Sequence, residues 1–253
     1  MLQQINSHLV EIEILVNEPY STILGYPRYS SEEIESRVNE VQSNGISSLL
    51  FEGNCKIGKL DLLGKGCVSI VVKAIYNDKI VALKIMRTDA DRSTMKMEAE
   101  FLKLANKVGV GPTFIKNSKK FLLMSFTDGI NISKFIEIEN NKEKLSNVIS
   151  EVLEQCYKLD RTGLDHGELS DMRRHVIVGD EITIIDFESA SISRRMSNVT
   201  TAVQYFFIGG VTAKKVRNVL SINSLDSIVS SLRQYKNDIN KENFERLKQF
   251  LNL

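Results

Sequence analysis

Two glycines in the first third of the chain could bring backbone amides close to a phosphorylated ligand. Gly64 and Gly66 flank Lys65 between two stretches of strand-forming residues. Glycine has no Cβ, so a loop that contains it lets the backbone approach phosphate oxygens and donate hydrogen bonds to them. An ordinary hairpin turn would have the same residue types. The segment alone therefore leaves both interpretations open.

A lysine at the end of the next apolar strand is the second chemical feature. Lys84 closes the run Val81–Lys84, and a buried lysine requires a partner of opposite charge. Glu98 lies on a helix predicted from 91 to 107, and we expect it to pair with Lys84. Glu98 is preferred to Glu100 because the apolar residues that follow then fall on the packing side of the helix. A solvated strand-end lysine is the alternative.

Carboxylates further along the chain supply the third and fourth features. Asp165 and Glu168 lie in a loop that follows a long predicted helix, and Asp186 ends an apolar strand 18 positions after Glu168. Carboxylates in such positions can hold a divalent cation or orient a hydroxyl group. An ordinary acid at a strand end is the alternative for Asp186.

Taken together, the segments resemble the motifs of protein kinases, in the same order and on the same kinds of element. Residues 63–71 resemble the glycine-rich loop with Ser69 for its third glycine, and 81–84 resemble Val-Ala-Ile-Lys. Residues 166–169 resemble His-x-Asp-Leu, and 186–188 resemble Asp-Phe-Gly. The resemblance covers roughly residues 56–190. It is greatest to a predicted archaeal Ser/Thr kinase group, beside the RIO family and the kinase subunit of the KEOPS complex.

The resemblance implies ATP and Mg²⁺, or Mn²⁺, as cofactors and assigns roles to individual residues. Lys84, oriented by Glu98, would contact the phosphates. Asp186 would hold the metal, and Glu168, or less favourably Asp165, would orient the acceptor hydroxyl. The remaining nucleotide-binding candidates are Gly64, Lys65, Gly66, Ser69, Val71, Ala82, Met124 as the residue before the hinge, and the backbone of Ser125 and Thr127.

The loop departs from the kinase pattern at several positions. Glu168 is one methylene longer than the usual aspartate, and small displacements can lower a rate greatly. Arg173 stands where the asparagine ligand of the second metal is expected and cannot ligate a cation, so Asp171 or His175 would have to replace it. Gly167 stands in place of an arginine that often pairs with a phosphorylated loop, so we expect no such activation.

These motifs predict an α+β, protein-kinase-like bilobal fold. Its N-lobe would have an antiparallel five-stranded sheet and one helix, and its C-lobe would be helical and reduced, since 67 residues follow Asp186. The predicted domains are a strand–helix extension (1–56), the N-lobe (57–127) and the C-lobe (128–253). In the extension we expect a strand at 10–16 and a helix that begins with a capping box at 30–33.

The function expected is phosphoryl transfer from ATP to seryl or threonyl groups of a protein, including autophosphorylation. The alternatives are a nucleotide-binding pseudokinase or ATPase switch, motivated by Glu168 and Arg173, and a small-molecule kinase of the aminoglycoside or choline type, motivated by Asp186–Glu188.

A composition of 42% hydrophobic residues and a net charge of +1 are typical of a globular protein. We expect a cytoplasmic protein without a membrane segment. RNA or ribosomal particles are suggested as partners by the kinase relatives alone, since Lys214, Lys215 and Arg217 suit a solvated helix face.

Overall fold

An antiparallel sheet organises the first half of the chain in the computed structural model, which describes residues 9–222 and 224–253. The strands of this half are β1 Leu9–Glu11, β2 Ile46–Leu50, β3 Cys55–Ile57, β4 Leu60–Leu62, β5 Gly64–Lys65, β6 Ser69–Tyr76, β7 Lys79–Met86, β8 Phe114–Asn117 and β9 Phe121–Ser125. Seven of them form one sheet in the order β1-β2-β6-β7-β9-β8, with β5 paired to β6. β3 and β4 form a separate hairpin.

The predicted antiparallel sheet is confirmed, but it has seven strands in the described part of the chain rather than five, namely β5–β9 and, from the extension, β1 and β2. β2 pairs with β6 between Ile46↔Tyr76 and Leu50↔Lys73, which the sequence analysis did not foresee. The strand expected at 10–16 is wrong beyond Glu11, because Ile12–Val16 form a 3-10 helix whose Ile12 and Leu15 are buried. The extension is therefore part of the sheet.

Helices of the first half lie in the extension and after β7. They are α1 Ser21–Leu24, α2 Ser31–Ser43 and α3 Lys96–Asn106. The capping box of α2 is confirmed, since the Ser30 side chain accepts a hydrogen bond from the Glu33 amide. α3 begins five residues later than predicted. The Thr94 hydroxyl accepts from the Lys96 amide at 3.2 Å and so favours a helix start there.

Apolar residues of the extension and of the sheet form one continuous core. Side chains of the 3-10 helix, α1, α2 and β2 pack with every second residue of β6 and β7, since alternate residues of a strand share one face. The sheet residues on this face include Ile70, Val72, Leu83, Ile85 and Leu123.

The remaining elements are mostly helical. They are β10 Ile130–Asn131, α4 Ile132–Ile138, α5 Lys142–Thr162, a 3-10 turn Leu169–Asp171, α6 Met172–His175, β11 Val176–Val178, β12 Ile182–Ile184, α7 Asn198–Val203, a π-helical turn Gln204–Ile208, α8 Gly210–Leu220, α9 Asp226–Asn237 and α10 Lys241–Phe250. β11 and β12 form a hairpin, to which β10 adds a third strand. Within this part, α5 buries one long face that includes Leu145, Ile149, Val152 and Leu159.

The chain divides into two compact units. The first comprises the chain up to Ala99 together with Thr113–Phe126, and the second comprises Glu100–Pro112 and Thr127–Leu253. The sheet lies in the first unit, and the helices from α4 onward lie in the second. The α+β, kinase-like bilobal fold expected from the motifs is confirmed, whereas the domain boundaries at 56 and 127 stay predictions. Among the residues that the structure describes, no helix is long and apolar enough to cross a membrane.

Candidate active site

One face of the sheet in the first unit carries the nucleotide-binding candidates. Val71 on β6 lies opposite both Gly64 on β5 and Lys84 on β7, and Ala82 lies opposite Met124 on β9. Directly paired residues, and residues two apart on a strand, share a face of the sheet. All five candidates therefore lie on the face opposite to the one that packs against the extension. Val71 and Met124 are only half-buried, so this face is accessible.

The predicted pairing of Lys84 with Glu98 is confirmed. Lys84 Nζ lies 2.6 Å from Glu98 Oε1, and the two side chains are 3% and 2% exposed. Arg92 Nη1 lies 3.7 Å from the other carboxylate oxygen of Glu98. Burial of an ion pair costs desolvation free energy that hydrophobic side chains would not cost. The pair is therefore weak evidence for a role in stability, and it indicates a functional role.

The glycine-rich segment is a short strand followed by a tight turn. Gly66 donates its amide to the Ser69 carbonyl at 2.8 Å. Ser69 begins β6 opposite Met86 and is 2% exposed, whereas the Lys65 side chain is exposed. Arg87, directly after β7, donates its backbone amide to the Val68 carbonyl at 2.8 Å. The loop is thus fixed to the strand that carries Lys84.

The expected hinge residues lie at the end of the first unit and the start of the second. Ser125 ends β9, its amide donates to the Thr113 carbonyl at 2.8 Å, and its hydroxyl accepts from the Thr113 amide at 2.8 Å. Thr127 is the first residue of the second unit after this strand and is half-buried. Their predicted backbone contacts to adenine stay predictions.

In the second unit, three predicted side chains come together. Glu168, His175 and Asp186 offer ligand atoms that all lie within 4.8 Å of one another, and His175 Nε2 is 3.7 Å from Glu168 Oε2. α6 carries His175 to the start of β11, where its carbonyl accepts from the Ile185 amide at 2.9 Å. This bond fixes His175 beside Asp186. Asp186 itself has φ of 73°, a sparsely populated conformation of the kind that clusters at functional sites.

This donor set fits a divalent cation. Carboxylate oxygens suit Mg²⁺ and Mn²⁺, and an imidazole nitrogen favours transition metals. His175 is 6% exposed and its Nδ1 has no hydrogen-bond partner in the described structure. His175 and Asp186 could therefore hold the metal, and Glu168 lies beside them.

Asp171 and Arg173 are paired with each other rather than joined to this cluster. Arg173 Nε lies 2.6 Å from Asp171 Oδ1, and Arg174 Nε lies 3.3 Å from Oδ2. The Arg173 hydrogen bond lowers the pKa of Asp171. Of the two residues proposed to replace the missing asparagine, His175 is the one that the structure brings to Glu168 and Asp186.

Asp165 is engaged on another side of the loop. It is 4% exposed, its Oδ1 accepts from the Ser197 hydroxyl at 2.8 Å, and its Oδ2 lies 3.1 Å from Arg194 Nε. Arg194, which the sequence analysis missed, occupies the space beside Gly167. A Cβ there would collide with the Arg194 guanidinium, and Gly167 has φ of 89°. The glycine in place of the usual arginine was the signal that another side chain could fill this space.

His166 and Phe187 fix the loop from within the second unit. The His166 ring Nε2 lies 3.0 Å from the Ile185 carbonyl, and its centroid lies 5.0 Å from that of Phe187. Burial lowers the pKa of His166 to about 4, so the ring is neutral at neutral pH and Nε2–H donates. Gly111, with φ of 84°, approaches so closely that an added Cβ would lie 2.8 Å from the Phe187 ring.

Two comparisons with known proteins give matches to this chain. The chain is 31% identical over 99 residues to an uncharacterized protein of Methanocaldococcus jannaschii, a match that covers 39% of this chain and 84% of that relative. A family model described as the RIO domain matches residues 72–201, which include Lys84, Glu98, Glu168, His175 and Asp186. The match extends over half of the sequence. The chain therefore belongs to the RIO domain family of atypical protein kinases.

Proposed function

We propose that the protein is an ATP-dependent kinase that transfers a phosphoryl group to seryl or threonyl hydroxyls of a protein, itself included. The observation that carries this proposal is the buried Lys84–Glu98 ion pair on the accessible sheet face, in register with Gly64 and Val71. A lysine held there suits the phosphates of a nucleotide, because Glu98 orients its ammonium group and burial shields this group from water.

In the proposed mechanism, each candidate residue has its own role toward the nucleotide. The glycine loop at Gly64–Gly66 would let the backbone approach phosphate oxygens without a Cβ in the way, and Val71, Ala82 and Met124 form an apolar surface for the adenine. Asp186 and His175 would hold Mg²⁺ or Mn²⁺, which when bound supplies positive charge to the phosphates. Positioning and neutralisation of charge would provide most of the rate enhancement.

Glu168 is proposed to orient the acceptor hydroxyl and to accept its proton. Its side chain is 36% exposed, whereas that of Asp165 is 5% exposed and paired with Arg194. A general base must lie within hydrogen-bond reach of the proton that it receives. Accessibility therefore favours Glu168 over Asp165 for this role.

A pseudokinase or ATPase switch is the second candidate function. The observation that favours it is Arg173, which stands at the expected position of a metal ligand and is tied to Asp171. The cluster of Glu168 and His175 with Asp186 favours the active kinase over the switch, because it offers a replacement ligand.

Transfer of the γ-phosphate tests the proposal. The protein would be incubated with γ-labelled ATP and Mg²⁺ or Mn²⁺, alone, with a generic protein acceptor, and with small hydroxylated acceptors. We expect label on serine or threonine of protein. ATP binding without any transfer would favour the switch, and label on small acceptors alone would favour a small-molecule kinase.

A further inference from the structure

The backbone of the extension is bonded to the segment that follows β7. Thr88 donates its amide to the Tyr26 carbonyl at 2.8 Å, and Arg28 donates its amide to the Thr88 hydroxyl at 3.0 Å. The Thr88 hydroxyl in turn donates to the Gly25 carbonyl at 3.3 Å. These bonds hold Tyr26 at a fixed place beside the end of the strand that carries Lys84.

The half-buried ring of Tyr26 contacts two cations at the glycine-rich loop. Lys65 Nζ lies 5.0 Å from the ring centroid, and the Arg87 guanidinium carbon lies 5.1 Å from it. Both distances are in the range in which an aromatic face attracts a cation. Lys65 is itself a residue of the loop, so the ring contacts the loop directly.

Arg87 connects the same ring to the loop by a second route. Its Nη1 donates to the Gly66 carbonyl at 2.9 Å, and its backbone amide donates to the Val68 carbonyl. Asp89 accepts from Nε and Nη2, both at 2.8 Å, and this bidentate pair fixes the plane of the guanidinium. The hydrogen bond with Asp89 also raises the pKa of Arg87.

We propose that Tyr26 is a positioning residue for nucleotide binding, which acts through Lys65 and Arg87 to hold the glycine-rich loop in its phosphate-binding shape. The inference rests on the proposed function, since it names how the extension regulates that same site. A loop that is already ordered loses less conformational entropy when a ligand binds. Loss of the ring should therefore weaken the binding of phosphates and leave the binding of adenosine unchanged.

The test compares Tyr26→Leu, which keeps apolar bulk but loses the aromatic face, with Tyr26→Phe, which keeps the ring. Dissociation constants of ATP and of adenosine would be measured by calorimetry, and amide hydrogen exchange of residues 64–68 would be measured in the free protein. For Tyr26→Leu we expect ATP binding roughly 3- to 10-fold weaker, adenosine binding unchanged and faster exchange in the loop. Tyr26→Phe should match the wild type.

A second variant keeps the proposal testable if Tyr26→Leu does not fold. Arg87→Gln removes the cation and the donor to Gly66, and the Arg87 side chain is 17% exposed. It should give the same loss for ATP and spare adenosine. Because the Tyr26 ring contacts the Arg87 guanidinium, the two losses should be less than additive in the double variant.

The outcomes separate this inference from the proposed function. Unchanged ATP affinity in Tyr26→Leu and Arg87→Gln, or equal losses for ATP and adenosine, would overturn the positioning role while the kinase proposal stands. Failure of the wild type to bind ATP would overturn the proposed function and the inference with it.

Discussion

At the residue scale, the two carboxylates that flank His166 have different surroundings. Asp165 is buried and accepts hydrogen bonds from the amide and hydroxyl of Ser197, besides its ion pair with Arg194. Glu168 is half-exposed and lies near His175 and Asp186. The first arrangement secures the loop, and the second leaves a carboxylate accessible to an acceptor hydroxyl.

Replacement of Glu168 by glutamine tests this division. The change keeps the shape of the side chain and removes its basicity, so we expect phosphoryl transfer to fall about 100-fold or more while ATP affinity stays within about 2-fold. Asp165→Asn should instead lower the free energy of unfolding, by roughly 1–3 kcal/mol, because it removes the charge of a buried carboxylate that accepts hydrogen bonds from Ser197 and pairs with Arg194. Rates would come from labelled ATP and stabilities from urea denaturation. Full transfer by Glu168→Gln would contradict the assignment.

The buried His166 predicts a dependence of stability on pH. Burial lowers the pKa of His166 to about 4 from an ordinary value of 6.5, so between these values the unfolded chain binds more protons than the folded chain. Stability from this group is fully present above about pH 6.5 and is lost as the pH falls toward 4. Between about pH 7 and about pH 5 the wild type should lose roughly 2 kcal/mol more than His166→Gln. Equal losses in urea denaturation would exclude this contribution.

At the element scale, Asp160 joins α5 to α7 and α9. Its Oδ1 accepts from the Asn198 amide at 3.0 Å and side chain at 2.8 Å, and its Oδ2 accepts from the Tyr235 hydroxyl at 2.9 Å. Asn198 then accepts from the His166 amide at 2.9 Å. Burial raises the pKa of Asp160, which its several donors oppose. The loop that carries Asp165 and Glu168 is therefore held by a residue on the preceding helix.

Removal of this carboxylate should destabilise the second unit. Asp160→Ala leaves buried donors of Asn198 and Tyr235 without acceptors, and we expect the free energy of unfolding to fall by about 3 kcal/mol. Lys158→Ala, at an exposed position of the same helix, should change it by less than about 0.5 kcal/mol. Urea denaturation measures both variants. Similar small losses in the two variants would show that the connection is dispensable.

The elements predicted from sequence are those with a strong local signal. The capping box of α2 located the start of this helix, because a capping box depends on neighbouring residues. β2 was missed because Ile46–Leu50 lacks regular alternation and its pairing with β6 is a tertiary contact. The segment 10–16 was apolar enough for a strand, but only two of its residues are in β1 and the rest turn into a 3-10 helix.

The site residues that could be predicted are those whose chemistry requires a particular kind of partner. Lys84 and Glu98 followed from the cost of burying a lysine. Which residue would accompany Asp186 did not follow, because α6 inserts a turn that brings His175, rather than Asp171, to it. The pairing of Asp165 with Arg194 also depends on the path of the chain after Asp186, which the spacing of motifs does not specify.

At the scale of the whole molecule, the candidate functional residues are divided between the two units. The first unit contains the glycine-rich loop and the Lys84–Glu98 pair, and the extension supplies two strands and much of the core beneath them. The second unit contains Glu168, His175 and Asp186. The proposed kinase reaction requires both sets, so loss of Lys84 in the first unit or of Asp186 in the second should abolish it.

The most direct test of this claim compares Lys84→Met and Asp186→Asn, one variant from each unit, with Lys79→Met as the control on an exposed position of the same strand as Lys84. Transfer from γ-labelled ATP would be measured together with thermal stability. The account predicts that each of the two variants loses transfer by about 100-fold or more while remaining folded, and that Lys79→Met retains it. Wild-type transfer that persists in either Lys84→Met or Asp186→Asn would contradict the account.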